Sequence, residues 1–245
     1  MAKERIDKLM VARGLAPSRE RAQAYLMAGR VLVDDQPIAK PGTQVDLEAE
    51  IRLKGEDPPF VGRGGLKLAG ALKDFGINPQ GWLCLDVGAS TGGFTDCLLQ
   101  AGAAFVYAVD AGTNQLDHRL RQDRRVLSLE KTNFRHADLN LTGSFVDFAV
   151  VDVSFISLTL ILAPLKALLV KGGQVVALVK PQFEVGKGGI EKGGVVRDPK
   201  LREAAIVGVI EAAQSLGLVF KGRIDSPIEG KKSGNLEALI WLEKP

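Results

Sequence analysis

Long apolar runs, cysteines and histidines are all scarce in this chain. Across its 245 residues no stretch approaches the roughly 18 uninterrupted apolar residues of a membrane span. The N-terminus, Met-Ala-Lys-Glu-Arg-Ile-Asp-Lys, has no apolar core of a secretory signal. Both absences point to a cytoplasmic protein. The two cysteines, Cys84 and Cys97, form no Cys-x-x-Cys or Cys/His cluster, so they read as reduced core residues. The two histidines, His118 and His136, are not spaced as ligands, which leaves a metal centre without support. What is present is ordinary for a globular protein: 46% apolar and 25% charged residues, in a chain long enough for one large domain or a medium and a small one.

The formal net charge is only +3, but it is unevenly spread. Residues 1–33 carry seven Lys or Arg against three acids, whereas residues 34–59 carry three against seven. Such asymmetry points to a polyanionic partner; two differently solvated faces are the plain alternative.

Two short helices open the chain, the first over Arg5 to Arg13 and stopped by Gly14, the second N-capped by Ser18 and stopped by Gly29. Short β-type pieces follow at 30–33, 36–38 and 45–53, separated by Asp34-Asp35 and Lys40-Pro41-Gly42. Gly55 to Pro59 reads as a linker. Beyond it a helix over 66–75 leads into strands near 82–86, 104–109, 126–129, 146–151, 174–179, 218–224 and 236–242, with helices near 93–101, 116–121, 157–170 and 199–216. That alternation predicts an α/β fold with a doubly wound, mostly parallel sheet, a ligand at the carboxyl ends of its strands, and an antiparallel edge where the last two strands are joined by a loop.

The run Asp86-Val-Gly-Ala-Ser-Thr-Gly-Gly-Phe-Thr-Asp96 falls where an apolar strand turns into a helix. Gly88, Gly92 and Gly93 there permit tight turns and close ligand approach, which suits a nucleoside cofactor. A second strand ends in Asp110, 24 residues after Asp86, where a ribose diol would be gripped. The order is Gly-x-x-x-Gly-Gly with a carboxylate ahead of it, not the Gly-x-Gly-x-x-Gly that meets a diphosphate. Asp86 would repel a diphosphate and suit a cationic cofactor such as S-adenosylmethionine. The cofactor contacts expected are Asp86, Gly88, Ala89, Ser90, Gly92, Gly93, Phe94, Asp110 and Gly112, with an adenine contact from 130–133 by analogy with the fold. An ordinary glycine-rich turn is the alternative.

Four polar residues stand at strand tips or loop edges, where core packing explains them poorly. Asp152 opens Asp-Val-Ser-Phe-Ile-Ser and Lys180 opens Lys-Pro-Gln-Phe-Glu, each after an apolar strand; Lys67 lies in Gly62-Arg-Gly-Gly-Leu-Lys-Leu and Glu237 in Ser233-Gly-Asn-Leu-Glu. Lysines and carboxylates sharing a pocket can fix protonation states, as deprotonating a hydroxyl requires. Singly, each is equally readable as a cap, a structural ion pair or a surface charge. The segment 183–197, with five glycines and three bases, reads as a mobile substrate loop in which Lys187, Lys192 and Arg197 meet phosphate, or as a merely flexible one; Lys231 and Lys232 would add to that surface.

In order and setting, Lys67, Asp152, Lys180 and Glu237 resemble the Lys-Asp-Lys-Glu tetrad of FtsJ-type ribose 2′-O-methyltransferases. Arg5-Ile-Asp-Lys-Leu, Ser18-Arg-Glu-Arg-Ala and Gly29-Arg-Val-Leu-Val-Asp resemble the S4 RNA-binding module. Together they look like the TlyA or hemolysin-A-like family of rRNA methyltransferases. The resemblance implies an S4-like domain over 1–54, a linker over 55–61 and a Rossmann-like class I methyltransferase domain over 62–245. It also implies S-adenosylmethionine as methyl donor, rRNA or ribosomal subunits as partner, and 2′-O-methylation of a ribose, at cytidine. Arg5, Lys8, Arg19 and Arg21, with Arg63 beside the tetrad's first lysine, are then expected at RNA phosphates. Lys180 is expected to activate the hydroxyl, as a base or as a stabiliser of the forming alkoxide, with Asp152 orienting it and Lys67 and Glu237 setting the electrostatics. The compact chain looks more like a form of the family acting on the large subunit. Two other classes compete: a non-catalytic rRNA-binding or ribosome-assembly protein, and a membrane-active hemolysin-like protein, for which no amphipathic or spanning segment speaks. Oligomeric state is left open.

Overall fold

The computed structural model describes residues 2–55, 59–186, 189–191, 193–228 and 234–245. Its contacts divide the chain into Met1–Asp57 and Pro58–Pro245. Residues 56–58 of the expected linker lie outside the described residues.

In the first unit, β1 (Lys3–Arg5) leads into α1 (Ile6–Ala12), and α2 (Arg19–Met27) follows. Ser18 caps α2 by accepting the Arg21 backbone N–H at 3.3 Å, which satisfies one of the first-turn donors. Ile6, Leu9 and Met10 of α1 pack with Ala22, Tyr25 and Leu26 of α2 over Val31 and Val33. Those valines belong to β2 (Val31–Val33), the middle strand of an antiparallel sheet between β3 (Gln36–Ile38) and β5 (Ile51–Leu53). Asp34 and Asp35, at φ of 47° and 64°, make the tight hairpin between β2 and β3.

The single strand expected over 45–53 is two strands in different sheets. β4 (Gln44–Asp46) pairs with β1, and β5 with β2. Asp46 breaks the run: its side chain accepts the Glu48 N–H at 3.0 Å and its carbonyl the Ala49 N–H at 3.1 Å, the local turn that Asp favours over a ladder. Arg13 reaches across to the Ala49 carbonyl at 2.6 Å and also bonds the Leu47 carbonyl.

In the second unit, α3 (Gly64–Phe75) precedes β6 (Leu83–Val87), α4 (Gly93–Gln100), β7 (Phe105–Val109), α5 (His118–Gln122), β8 (Val126–Leu129), α6 (Leu139–Thr142), β9 (Val146–Val151), α7 (Thr159–Leu168), β10 (Leu169–Val179), α8 (Pro181–Glu184), α9 (Pro199–Ser215), β11 (Val219–Asp225) and β12 (Ala238–Glu243). The sheet order is β11-β12-β10-β9-β6-β7-β8. Strands β10, β9, β6, β7 and β8 are parallel, and β12 is antiparallel to both β10 and β11, as the loop connection requires. The chain leaves β6 towards β7 and returns at β9 on the other side, so β6 and β9 flank the topological switch point, the crevice where α/β sheets bind ligands.

Alternation along the strands builds a core on each face. Leu85, Val87, Ala149, Val151, Val175 and Ala177 pack with Ile161, Leu165 and Ile206 of α7 and α9; Cys84, Phe148, Val150, Val176 and Leu178 pack with Leu68, Leu72, Phe94 and Leu98 of α3 and α4. The residues buried on both faces explain the continuous apolar runs of the central strands. Cys84 and Cys97 are free, and burial pushes both thiols up to about 12, so they are inert packing groups. β10 begins at Leu169, five residues before the expected start at Gln174, because its register shifts between those two residues where Gly172 turns at φ 76°.

Candidate active site

The loop after β6 is held from all sides. Gly88 and Ala89 donate their N–H groups to the Val109 carbonyl at 2.8 and 3.1 Å. A Cβ on Gly88 would lie 2.5 Å from the Asp152 carbonyl oxygen, and the residue sits at φ 87°. Gly92 and Gly93 are fixed by packing: a Cβ at Gly92 would overlap Leu120 and Leu116, and one at Gly93 would stand 2.9 Å from the Gly65 nitrogen. Ala89 and Phe94 are buried in the core, so what they offer a ligand is backbone. Ser90, at φ 48°, donates its N–H to Asp110 Oδ2 at 2.8 Å. Gly112 donates to Asp110 Oδ1 at 2.7 Å. Asp110 thereby ties the loops after β6 and β7 together. In the 130–133 segment, Glu130 accepts the Asn114 N–H at 2.9 Å and pairs with Arg121 at 3.5 Å, while Asn133 caps the turn at Arg135.

Asp86 has no accessible surface. Thr95 Oγ1 donates to its Oδ2 at 2.6 Å, and its Oδ1 has no hydrogen-bond partner. Burial pushes this carboxyl up to about 7, opposed by the Thr95 hydrogen bond and assisted by the charges of Asp152 and Asp110.

The four tetrad residues form two ion pairs. Lys67, on α3, is 8% exposed and pairs with Glu237, 4% exposed, just before β12. Lys180, at the end of β10, lies 2.5 Å from Oδ1 of Asp152 at the end of β9, and its ammonium donates to Ser154 Oγ at 2.9 Å. The Lys180–Asp152 contact is an ion pair without hydrogen-bond alignment, since that Oδ1 makes no hydrogen bond. A Cβ on Gly64, at the start of α3, would come within 3.7 Å of Asp152 Oδ2, which brings the first turn of the Lys67 helix beside the second pair.

In the first unit, Arg5 and Arg19 both bind Asp7, Lys8 lies 3.7 Å from Glu4, and Arg21 stacks 4.9 Å from the Tyr25 ring centroid. Hydrogen bonds from Arg5 hold the Asp7 carboxyl well below the usual carboxylate range against the cost of burial, with Gln23 and Arg19 acting in the same direction. In the second unit, Arg63 occupies the N-cap position of α3, and Arg197 is exposed and 3.6 Å from Glu191. Lys187, Lys192, Lys231 and Lys232 lie outside the described residues. The described ends of segment 183–197 are anchored: Glu184 is bonded to Ser157 and Leu158, and the buried Val196 donates its N–H to Asn235 at 2.8 Å.

Residues 60–244 match the family described as FtsJ-like methyltransferase, and residues 4–51 match the S4 domain. The chain belongs to the FtsJ-like methyltransferase family. It is 46% identical over 239 residues to the 16S/23S rRNA (cytidine-2'-O)-methyltransferase TlyA of Mycobacterium tuberculosis (strain ATCC 25618 / H37Rv), covering 97% of this chain and 89% of that relative. A solved structure, "Putative hemolysin from Streptococcus thermophilus", is 49% identical with a TM-score of 0.77, over 100% of this chain and 89% of that one. The N-methyltransferase NodS from Bradyrhizobium japonicum WM9, in complex with S-adenosyl-L-homocysteine, shares the fold alone: 15% identity and a TM-score of 0.52, over 72% of this chain and 85% of that one.

Several residues around this candidate site escape a sequence reading. The glycines before Lys67 are packing devices: a Cβ on Gly62 would lie 2.7 Å from Thr91 Oγ1, and one on Gly65 would overlap Phe60. Val61 donates to Asp96 Oδ2 at 2.7 Å, so residues read as linker are part of the methyltransferase fold. Glu184 accepts from Ser157 Oγ at 2.6 Å and from the Leu158 N–H at 2.9 Å, clamping the Lys180 segment to the Asp152 segment; burial pushes its carboxyl up. Phe155, 91% exposed at φ 64°, has its ring 5.2 Å from that of Phe183. The repeated glycines of Gly62-Arg-Gly-Gly were the signal for the first of these. No local pattern announces the others.

Among the described residues, no helix is long and apolar enough to cross a membrane, and no group of three or more His, Cys, Asp or Glu could hold a metal ion.

Proposed function

We propose that this FtsJ-like enzyme transfers a methyl group from S-adenosylmethionine to a ribose 2′-hydroxyl of rRNA, at a cytidine, as the name of its Mycobacterium tuberculosis relative states for that protein. The observation that carries the reading is the Lys180–Asp152 ion pair, set at the switch point directly beside the glycine loop. The residues present suit this cofactor. Asp86 keeps one carboxyl oxygen without a partner beneath the glycine loop, and its charge, when ionised, favours a cationic ligand on that loop over a diphosphate. Asp110 retains acceptor capacity beyond its two backbone bonds, as a ribose diol needs. When bound, S-adenosylmethionine supplies an electrophilic methyl group.

The chain's own residues have three tasks. Asp152 and Ser154 hold the Lys180 side chain in one place, where as the ammonium it stabilises the forming alkoxide while the hydroxyl proton passes to water, or as the free amine it takes that proton itself. Asp152 orients Lys180. Lys67 and Glu237 present a second, water-poor charge pair that fixes the local field. The S4 unit supplies RNA affinity through phosphate contacts. In this reading the protein is an RNA-modifying enzyme and not an assembly factor with an inert cofactor fold.

The test is transfer of labelled methyl groups to ribosomal subunits of a strain lacking the protein, with the marks mapped in both rRNAs. Wild type should label rRNA ribose, and Lys180→Ala should abolish transfer while cofactor still binds. Lys180→Arg keeps the cation but cannot act as a base, so partial turnover supports charge stabilisation and complete loss supports a base. Failure of wild type to label either subunit sinks the proposal.

A further inference from the structure

One carboxylate organises the charged helices of the first unit from beneath. Asp7, in the first turn of α1, has no accessible surface. It lies near the protein surface and is closed off by its own partners rather than by depth. Arg5 approaches it with two parallel bonds, Nε to Oδ1 at 3.0 Å and Nη2 to Oδ2 at 2.9 Å. From α2, Arg19 Nε and Gln23 Nε2 each donate to Oδ2 at 2.9 Å. A guanidinium has five N–H donors, so two directed at Asp7 leave Arg5 with three and one leaves Arg19 with four. Both side chains remain exposed, at 36% and 46%.

This arrangement is unexpected in a face meant for a polyanion. A negative charge among the arginines weakens long-range attraction to phosphate and brings two cations together. Helix packing does not require it, since Ile6, Leu9, Met10, Ala22 and Leu26 already join α1 to α2 through apolar contact. What the carboxylate adds is geometry. Long, freely rotating side chains from two separate segments are held at one point while each keeps donors that Asp7 does not use, and less freedom is lost when a ligand is gripped.

We propose that Asp7 is a positioning residue for RNA binding, aligning the Arg5 and Arg19 guanidiniums as a fixed pair for neighbouring backbone phosphates. The inference rests on the RNA reading above. It makes a prediction opposite in sign to that of charge alone: Asp7→Asn leaves the face one unit more positive, yet should bind RNA less tightly.

The experiment measures Kd and its salt dependence for an rRNA fragment, together with KM and kcat on the full substrate, using the full chain. Wild type is the control: if it binds no rRNA fragment, the RNA reading itself fails. If wild type binds, Asp7→Asn should raise Kd and KM roughly tenfold, flatten the salt slope by about one phosphate contact and leave kcat at saturating RNA intact. A purely structural role would lower the melting temperature without changing the salt slope per folded molecule. Equal or tighter binding, with an equal or steeper salt slope, overturns the proposal. Should Asp7→Asn unfold the unit, Arg5→Lys and Arg19→Lys keep the charge while removing the planar fork. Each should weaken RNA binding of the folded protein, measured well below its melting temperature, and unchanged affinity in both overturns the proposal equally.

Discussion

Gly88 and Asp152 meet backbone to backbone: a Cβ on the glycine would stand 2.5 Å from the Asp152 carbonyl oxygen, and the Asp152 N–H bonds the Val87 carbonyl at 2.9 Å. The loop proposed to seat the cofactor and the strand tip that carries the second ion pair are therefore one packed unit. Gly88→Ala meets two obstacles, a positive φ of 87° and a backbone atom that cannot move aside. The strain alone is worth about 1–3 kcal/mol, so the melting temperature should fall by roughly 2–12 °C. Turnover should fall further than stability, because Asp152 is displaced. A melting temperature and turnover equal to wild type would show that the two segments separate freely.

Lys67 and Glu237, 170 residues apart, form the more deeply buried pair, with side chains 10% and 4% exposed. Removing one partner leaves an uncompensated buried charge and should cost about 3–5 kcal/mol. The double variant Lys67→Met/Glu237→Leu should regain most of that stability, since apolar groups of similar volume replace a desolvated pair. It should not regain methyl transfer. Chemical denaturation of both single variants and the double variant checks the first expectation, and a double variant with full turnover would remove the pair from the mechanism.

The sheet was legible because buried parallel strands announce themselves as apolar runs, such as Phe148–Val151, and the first two helices because Gly14 and Gly29 stop them at positive φ. The Lys180–Asp152 pair was legible too, since both residues end apolar strands on one rim. The Lys67–Glu237 pair was not: it follows from β12 lying beside β10, on the far side from β9. The same limit hid the clamp from Glu184 to Ser157, 27 residues apart. It also hid the role of Gly62, whose neighbour Thr91 lies 29 residues on in the loop before α4. Where a purely local competition decided the outcome, as at Asp46, the Asx turn outweighed the apolar pattern of 45–53.

Asp86 makes the protein sensitive to pH in a defined direction. Its carboxyl is raised from the ordinary range to about 7 by burial. Between those limits the folded protein holds a proton there that the unfolded chain has lost, so this group's contribution to stability falls as pH rises from about 4 to about 7 and is level above. Asp86→Asn removes that dependence. The difference in unfolding free energy between the variant and wild type should move towards the variant over that window, by up to about 4 kcal/mol, and stay flat at higher pH. Asp7 acts oppositely: its lowered carboxyl supports stability that is lost only as pH falls below the ordinary carboxylate range. A cationic ligand beside Asp86 favours the ionised form, so S-adenosylmethionine affinity in wild type should rise from pH 6 to pH 8. Calorimetry showing pH-independent affinity would exclude electrostatic coupling between the ligand and Asp86.

Asp110 serves two loops at once, accepting from Ser90 at 2.8 Å through one oxygen and from Gly112 at 2.7 Å through the other. That double engagement separates it from a carboxylate that only waits for a ligand. Asp110→Ala should weaken S-adenosylmethionine binding by roughly 10- to 100-fold, the loss expected for hydrogen bonds to a charged group, and should also loosen the Ser90 turn. Asp110→Asn should not rescue it. An amide has one acceptor atom, so its NH₂ would face a backbone N–H, donor against donor, in one loop or the other. The two variants should therefore lose affinity alike, whereas a residue that needed only to accept one bond from a ribose would tolerate Asn. Calorimetric titration distinguishes these cases: wild-type affinity in Asp110→Asn means the loop junction is dispensable, and wild-type affinity in Asp110→Ala means the ribose is gripped elsewhere.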